Sequence, residues 1–284
     1  MVETIRKVIV ITLSAISMMA DASQDCMVLS NGSELQFAHF SENTLHIGRT
    51  LLKGSTALNP VWPSYTETTG GLVFEATENG RSGIYKANSA DSFNNAELIM
   101  LGKYPALSPD GDKVAYYDEH NNLAIKDIRF GSNVLIGEFH EELSIWMRPL
   151  WLSNNELIYV TKNNDIFVYK LSGKSHSKLF SEKLFPVVSS NGIVLFIDYD
   201  AKAVFEYKSG ELRPIINNRF LSIGPGIILL RGGFLYSRQT WPEVLRLSET
   251  KATFYFSRED GSEKELISGL SLYGGSLLPC WIVK

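Results

Sequence analysis

The sequence is short of the residues that most often announce a chemistry. Two cysteines, Cys26 and Cys280, and five histidines are all it has in 284 residues. His39, His46, His120, His140 and His176 form no i, i+4 pair and have no cysteine near any of them, so zinc-ligand spacing is absent. Asp198 and Asp200 open like a calcium loop, but Lys202 follows, and neither a glycine nor a distal glutamate falls at the required spacing. No metal and no cofactor are expected. Positive charge is not in excess either: 27 Lys and Arg stand against 31 Asp and Glu, with no long block of one sign. Nucleic acid is therefore not an expected partner, because neutralising phosphates takes a basic stripe. The nearest approach to a serine nucleophile elbow, Gly269-Leu270-Ser271-Leu272-Tyr273, has tyrosine where glycine is needed. Ser108-Pro109-Asp110-Gly111 has its glycine one position too early for a sialidase box. Outside the N-terminus no stretch shows a 3.6-residue apolar period, which argues against helical bundles and α/β layers.

Long apolar runs are also missing, with one exception. Arg6 and Lys7 precede an uncharged, mostly apolar run from Val8 to Ala20, and Ala20-Asp21-Ala22 follows with small residues around one spacer. That order is a secretory signal, with cleavage expected after Ala22. The run is too short for a membrane span, which needs about 20 apolar residues. Residues 1–22 are thus read as a signal peptide and 23–284 as one domain, located in the periplasm or secreted. An exported chain with an even cysteine count favours a disulfide, here Cys26 to Cys280; two unrelated buried thiols are the competing reading.

What the sequence has in quantity is a repeat. Tyr104-Pro105-Ala106-Leu107-Ser108-Pro109-Asp110-Gly111 leads into Lys113–Tyr117 and then Asn122–Asp127. Asn59-Pro60-Val61-Trp62, Arg148-Pro149-Leu150-Trp151 and Phe185-Pro186-Val187-Val188 each open a similar unit, and prolines 60, 105, 149 and 186 are spaced by 45, 44 and 37 residues. Each unit holds three or four short strands divided by Gly, Asn, Asp and Ser turns. The strands are apolar at consecutive positions, as in a sheet covered on both faces. Residues 223–257 read as a fifth, degenerate unit. The expected fold is all-β, a six-bladed β-propeller whose last blade is composite, with inner strands from 275–283 and outer strands from 34–37 and 45–47. A ring of five or seven units is the competing count.

The unit at Tyr104–Asp127 resembles the WD40-like repeat of the TolB family. Pro105, Ser108, Pro109, Asp110, Gly111 and Lys113 match its pattern, with Leu107 in place of tryptophan, while the other copies keep Pro60 with Trp62 and Pro149 with Trp151. The resemblance implies a propeller, a periplasmic location and a habit of binding partner proteins. The α/β domain that precedes the propeller in that family has no counterpart here, since the repeats begin almost directly after the signal segment. Pro-Asp-Gly itself is turn chemistry: proline fixes φ and glycine accepts positive φ.

Function is sought where equivalent positions of the repeat converge, at one mouth of the ring. Asn59, Tyr104, Arg148 and Phe185 precede the anchor prolines, and Trp146 with Arg148 supplies side-chain types enriched in binding hot spots. These five are the candidate partner-binding residues, and no catalytic residue is assigned. The leading expectation is a non-catalytic, monomeric scaffold for a protein or peptide. The alternative is an enzyme on a carbohydrate or small molecule, built from scattered residues such as His120, Arg148, Asp198 and Arg231 around the channel.

Overall fold

The structure, a computed structural model, describes residues 25–31, 33–54, 59–66, 71–87, 95–136, 147–180, 184–190, 193–198, 203–216, 223–230, 233–238, 252–258, 262–270 and 275–278. Residues 1–22, expected to be a signal peptide, and Trp146, Arg231 and Cys280 lie outside them. Among the described residues there is no α-helix, and no helix is long and apolar enough to cross a membrane. Instead there are 24 strands in six four-stranded antiparallel sheets.

Sheet 1 runs β24 (Gly275–Leu278), β1 (Asp25–Ser30), β2 (Glu34–Ser41), β3 (Thr44–Lys53). Sheet 2 holds β4 (Asn59–Tyr65), β5 (Leu72–Glu78), β6 (Arg81–Ala87) and β7 (Glu97–Leu101). Sheet 3 holds β8 (Lys103–Leu107), β9 (Lys113–Tyr117), β10 (Leu123–Asp127) and β11 (Asn133–Leu135). Sheet 4 holds β12 (Leu150–Ser153), β13 (Glu156–Val160), β14 (Ile166–Lys170) and β15 (Ser175–Phe180). Sheet 5 holds β16 (Leu184–Ser190), β17 (Ile193–Asp198), β18 (Ala203–Lys208) and β19 (Glu211–Ile216). Sheet 6 holds β20 (Ile223–Leu230), β21 (Gly233–Arg238), β22 (Ala252–Arg258) and β23 (Glu263–Leu270).

The turn residues do what their chemistry allows. Asn79 and Gly80 both take positive φ, at 51° and 78°, between the paired Glu78 and Arg81, as do Glu42 with Asn43 and Ser209 with Gly210 in their hairpins. Two consecutive positive-φ residues make a type I′ turn, whose twist matches that of the strands it joins. The Ser-Pro-Asp-Gly segment closes on itself: the Gly111 N–H donates to the Ser108 carbonyl, the Lys113 N–H to the Ser108 hydroxyl, and the Asp112 N–H to the Asp110 carboxylate. Burial pushes the Asp110 carboxyl up, but the Ser108 hydroxyl, the Asp112 N–H and the Lys113 ammonium outweigh it and hold it below its ordinary value.

Both faces of β5 are covered. Along β5, Leu72 and Phe74 pack against sheet 1 while Val73 packs against Val114 and Tyr116 of sheet 3. Successive side chains of a strand point to opposite faces, so an apolar run fills two seams at once. Each pair of neighbouring sheets encloses one cluster of buried side chains. Between sheets 3 and 4 it contains Ala115, Tyr117, Trp151, Leu157 and Tyr159; between sheets 6 and 1 it contains Met27, Leu29, Phe40, Ile228 and Phe256. The strands β4, β8, β12, β16 and β20 each touch the next, and β24 touches both β20 and β4. Hydrogen bonds also cross the seams, among them Ser30 hydroxyl to Pro60 carbonyl at 2.6 Å and Trp151 Nε1–H to Ala106 carbonyl at 2.8 Å.

The composite sheet differs from expectation in its proportions. One strand from the C-terminal stretch, β24, pairs with β1, and three strands come from the N-terminal side. Asp25–Ser30 is a strand in its own right, so Cys26 lies within the sheet, buried and opposite Leu278, two residues before Cys280. No cysteine among the described residues is free. The fifth repeat unit gains a fourth strand, β23, whose Glu263-Lys264-Glu265 start reads as polar because it is an outer edge.

Candidate binding site

The site grows out of an irregularity in the first strands. In β4, Val61 pairs with Glu75 and Ser64 with Val73, so Trp62 and Pro63 together oppose Phe74. In β8, Lys103 pairs with Tyr117 and Ala106 with Ala115, so Tyr104 and Pro105 together oppose Tyr116. Two residues against one is a β-bulge, a device that re-aims a side chain. At both bulges the residue before proline has positive φ, 52° at Trp62 and 55° at Tyr104. For bulky side chains that conformation costs on the order of 1–3 kcal/mol and persists only where the surroundings impose it.

The surroundings here are charged. The Tyr104 N–H donates to Glu75 Oε2 at 2.8 Å, which pins the strained residue to the neighbouring sheet. Glu75 is the buried carboxylate at the bulge, only 8% exposed, and the Ser82 hydroxyl also bonds to it. The Trp62 and Tyr104 rings meet edge to face with centroids 5.4 Å apart, and Tyr104 meets Tyr117 in the same way at 6.4 Å. The Tyr117 hydroxyl is sealed from solvent with no hydrogen-bond partner among the described residues, and burial pushes its proton affinity up.

Arg148 completes the group from sheet 4. Trp151 pairs with Leu157 as Leu107 pairs with Val114, so Arg148-Pro149 stands where Tyr104-Pro105 stands in sheet 3 and Trp62-Pro63 in sheet 2. Its Nη1 reaches past sheet 3 to donate to the Pro63 carbonyl at 3.3 Å, while its Nε is buried with no partner among the described residues. Burial pushes the Arg148 guanidinium down to about 10, partly offset by the charge of Glu75. Burial likewise raises the Glu75 carboxyl, against the Tyr104 N–H, the Ser82 hydroxyl and the charges of Lys103 and Arg148.

A pH dependence follows with a definite sign. The folded chain holds the Glu75 proton more tightly than the unfolded chain, so protonated Glu75 favours folding; that contribution is full below pH 4.5 and is lost as pH rises through the raised folded value. Glu75→Gln keeps an acceptor for Tyr104 but carries no charge. It is expected to lose less stability than the wild type between pH 4.5 and neutrality, read as the shift of the urea midpoint. Equal losses in both proteins would contradict the burial of an ionisable Glu75.

Of the residues predicted from sequence, Tyr104 and Arg148 come together here. Asn59 pairs with Thr77 at the start of β4, and the position equivalent to Tyr104 is Trp62. Phe185 pairs with Ile197 on β16, and there the bulge holds Pro186 and Val187; the side chains of Asn59 and Phe185, and all of Trp146, lie outside the described residues. Sequence reasoning missed Trp62 and Glu75. Trp62-Pro63 offers a second proline 42 residues before Pro105, and Glu75 is the single charge within the apolar run Leu72–Ala76. Among the described residues no group of three His, Cys, Asp or Glu gathers as a metal site, and His120 lies exposed, its N–H donating to Asp118.

Comparison with known proteins gives no match to a family and none to a curated protein. Solved structures do match. TolB from Acinetobacter baumannii superposes over 91% of this chain and 67% of its own with a TM-score of 0.65 and 13% identity. A chain of a nidogen/laminin complex superposes over 90% and 98% with a TM-score of 0.62 and 10% identity. An oligogalacturonate lyase in complex with manganese superposes over 87% and 73% with a TM-score of 0.52 and 12% identity. At such identities the likeness is one of fold, and the fold is an all-β propeller.

Proposed function

We propose that this chain is an exported, closed six-bladed β-propeller that holds a protein or peptide at the end of the ring where Trp62, Tyr104 and Arg148 gather. The observation that carries the reading is that gathering itself. Three consecutive sheets deliver a tryptophan, a tyrosine and an arginine to equivalent positions before proline, the first two on bulges, around one buried carboxylate. Those three types dominate binding hot spots, and the strain at Trp62 and Tyr104 is of the kind that accumulates at functional sites. Ring closure is supported by the cluster between sheets 6 and 1 and by the contacts of β24 on both sides. Likeness to TolB and to a chain seen in a nidogen/laminin complex agrees with a protein partner. The molecule acts as a monomer in the periplasm or outside the cell, its signal segment removed, with Cys26 and Cys280 clasping sheet 1.

A photocrosslinking residue in place of Tyr104, in the protein made by its own cell, is expected to capture a discrete partner. The same residue in place of Lys208, on an outer hairpin, is expected to capture none. Equal capture from both positions, or none from Tyr104, would overturn the assignment of this end of the ring.

A further inference from the structure

The bonds already made around Glu75 and Arg148 leave one kind of vacancy. The Glu75 carboxylate already accepts from the Tyr104 N–H and the Ser82 hydroxyl. Arg148 spends Nη1 on the Pro63 carbonyl, and its Nε–H, sealed from solvent, has no acceptor among the described residues. The Tyr117 hydroxyl beside Tyr104 is also without a partner there. A buried donor left open costs about 1–3 kcal/mol, more on a charged group, and that cost disappears when an acceptor arrives. The unpaired Nε–H of Arg148 therefore calls for an acceptor.

Charge points the same way. Glu75 contributes one negative charge, while Lys103 and Arg148, the cations that act on it, contribute two positive ones. A ligand with a single negative charge balances the group; an ammonium or guanidinium would add to the excess. Arginine binds carboxylates through two parallel N–H bonds, and with Nη1 tethered the unpaired edge of Arg148 is the one that carries Nε. Trp62, next to the Pro63 carbonyl, and Tyr104 supply apolar surface for whatever flanks that anion.

We propose that Arg148 receives the carboxylate of a bound peptide, either its C-terminus or an aspartate or glutamate side chain, through the unpaired Nε edge of the guanidinium. This deepens the partner-binding reading and rests on it. The carboxylate displaces no existing bond of Glu75 and leaves the Tyr104 bulge intact.

The test uses the whole protein and three synthetic tripeptides, followed by NMR shift titration: N-acetyl-Gly-Gly-Gly with a free C-terminus, its C-terminal amide, and amidated N-acetyl-Gly-Asp-Gly. The two carboxylate peptides are expected to bind about tenfold more tightly than the amide, the order expected for one charge-assisted bidentate pair. Preference for the first peptide or the third tells a terminal from a side-chain carboxylate. Arg148→Lys keeps the charge but lacks the Nε edge and is expected to abolish the preference. A far-ultraviolet spectrum and urea midpoint like the wild type's would show that Arg148→Lys still folds. Lys103→Gln lies outside the hydrogen-bonded pair and is expected to weaken all carboxylate binding a few-fold. Equal binding of acid and amide overturns the proposal, as does binding of galacturonate oligomers with none of peptides. If crosslinking at Tyr104 still captures a partner while acid and amide bind alike, the carboxylate assignment falls and the partner site stands. If both fail, the site itself is wrong.

Discussion

Replacing Trp151 with alanine is expected to lower the free energy of unfolding by about 3–5 kcal/mol, the range for large aromatic truncations in a core. Trp151 is 4% exposed and fills the seam between sheets 3 and 4, against Tyr117, Leu157 and Tyr159. Its indole N–H crosses that seam to the Ala106 carbonyl at 2.8 Å. Truncation removes the packing, leaves a cavity that neighbouring strands cannot collapse, and strips a buried carbonyl of its donor. Trp151→Phe separates the contributions, since it keeps most of the ring volume and loses only the donor, worth about 1 kcal/mol. Urea unfolding of the three proteins at one pH measures both differences, provided the m-values agree. A loss below about 1 kcal/mol for the alanine variant would mean that the seam is not packed around Trp151.

Breaking the proposed Cys26–Cys280 clasp is expected to cost a comparable amount. In the chain-entropy model, cross-linking residues so far apart constrains the unfolded chain by about 4–5 kcal/mol, although measured values are often smaller. Against the 5–15 kcal/mol that separates typical folded and unfolded states, such a loss is severe. Cys26→Ser, Cys280→Ser and the double variant are each expected to unfold at the same lowered denaturant concentration, because either change removes the whole bond. Reduction of the wild type should bring it to the same point. Cys26 is buried opposite Leu278, and β24 meets β1 along Leu278, Leu277, Ser276 and Gly275. Two titratable thiols in the unreduced, unfolded protein would refute the bond.

How much of this could be read from the sequence depended on whether the signal was local. The Gly and Asn residues expected to divide the strands do so: Asn79 and Gly80 accept positive φ and form a hairpin turn. Ser108–Lys113 reads as a turn for similar reasons and is one. The strand Asp25–Ser30 was not legible, because its sheet is built with β24, a segment from the far end of the chain, and such pairing leaves no nearby pattern. Nor were the bulges legible. The choice between Asn59-Pro60 and Trp62-Pro63 as the counterpart of Tyr104-Pro105 is made by which residues of β4 pair with β5, a property of two strands together. Tyr104 and Arg148 stand out as candidates because their prolines are spaced at the period of the repeat. Glu75 was not, because its meaning lies in the Tyr104 N–H that reaches it from the next sheet.

The position of β24 has a kinetic side. Until residues 275–278 are made, β1 has no partner on its inner edge, although Met27, Leu29 and their sheet are otherwise present. The strand that finishes the first sheet is synthesised after every other strand described here. Contacts that distant make folding slow, since the loop between them must close before they form. A growing chain of this design cannot complete its first sheet until the last of the described strands has been made.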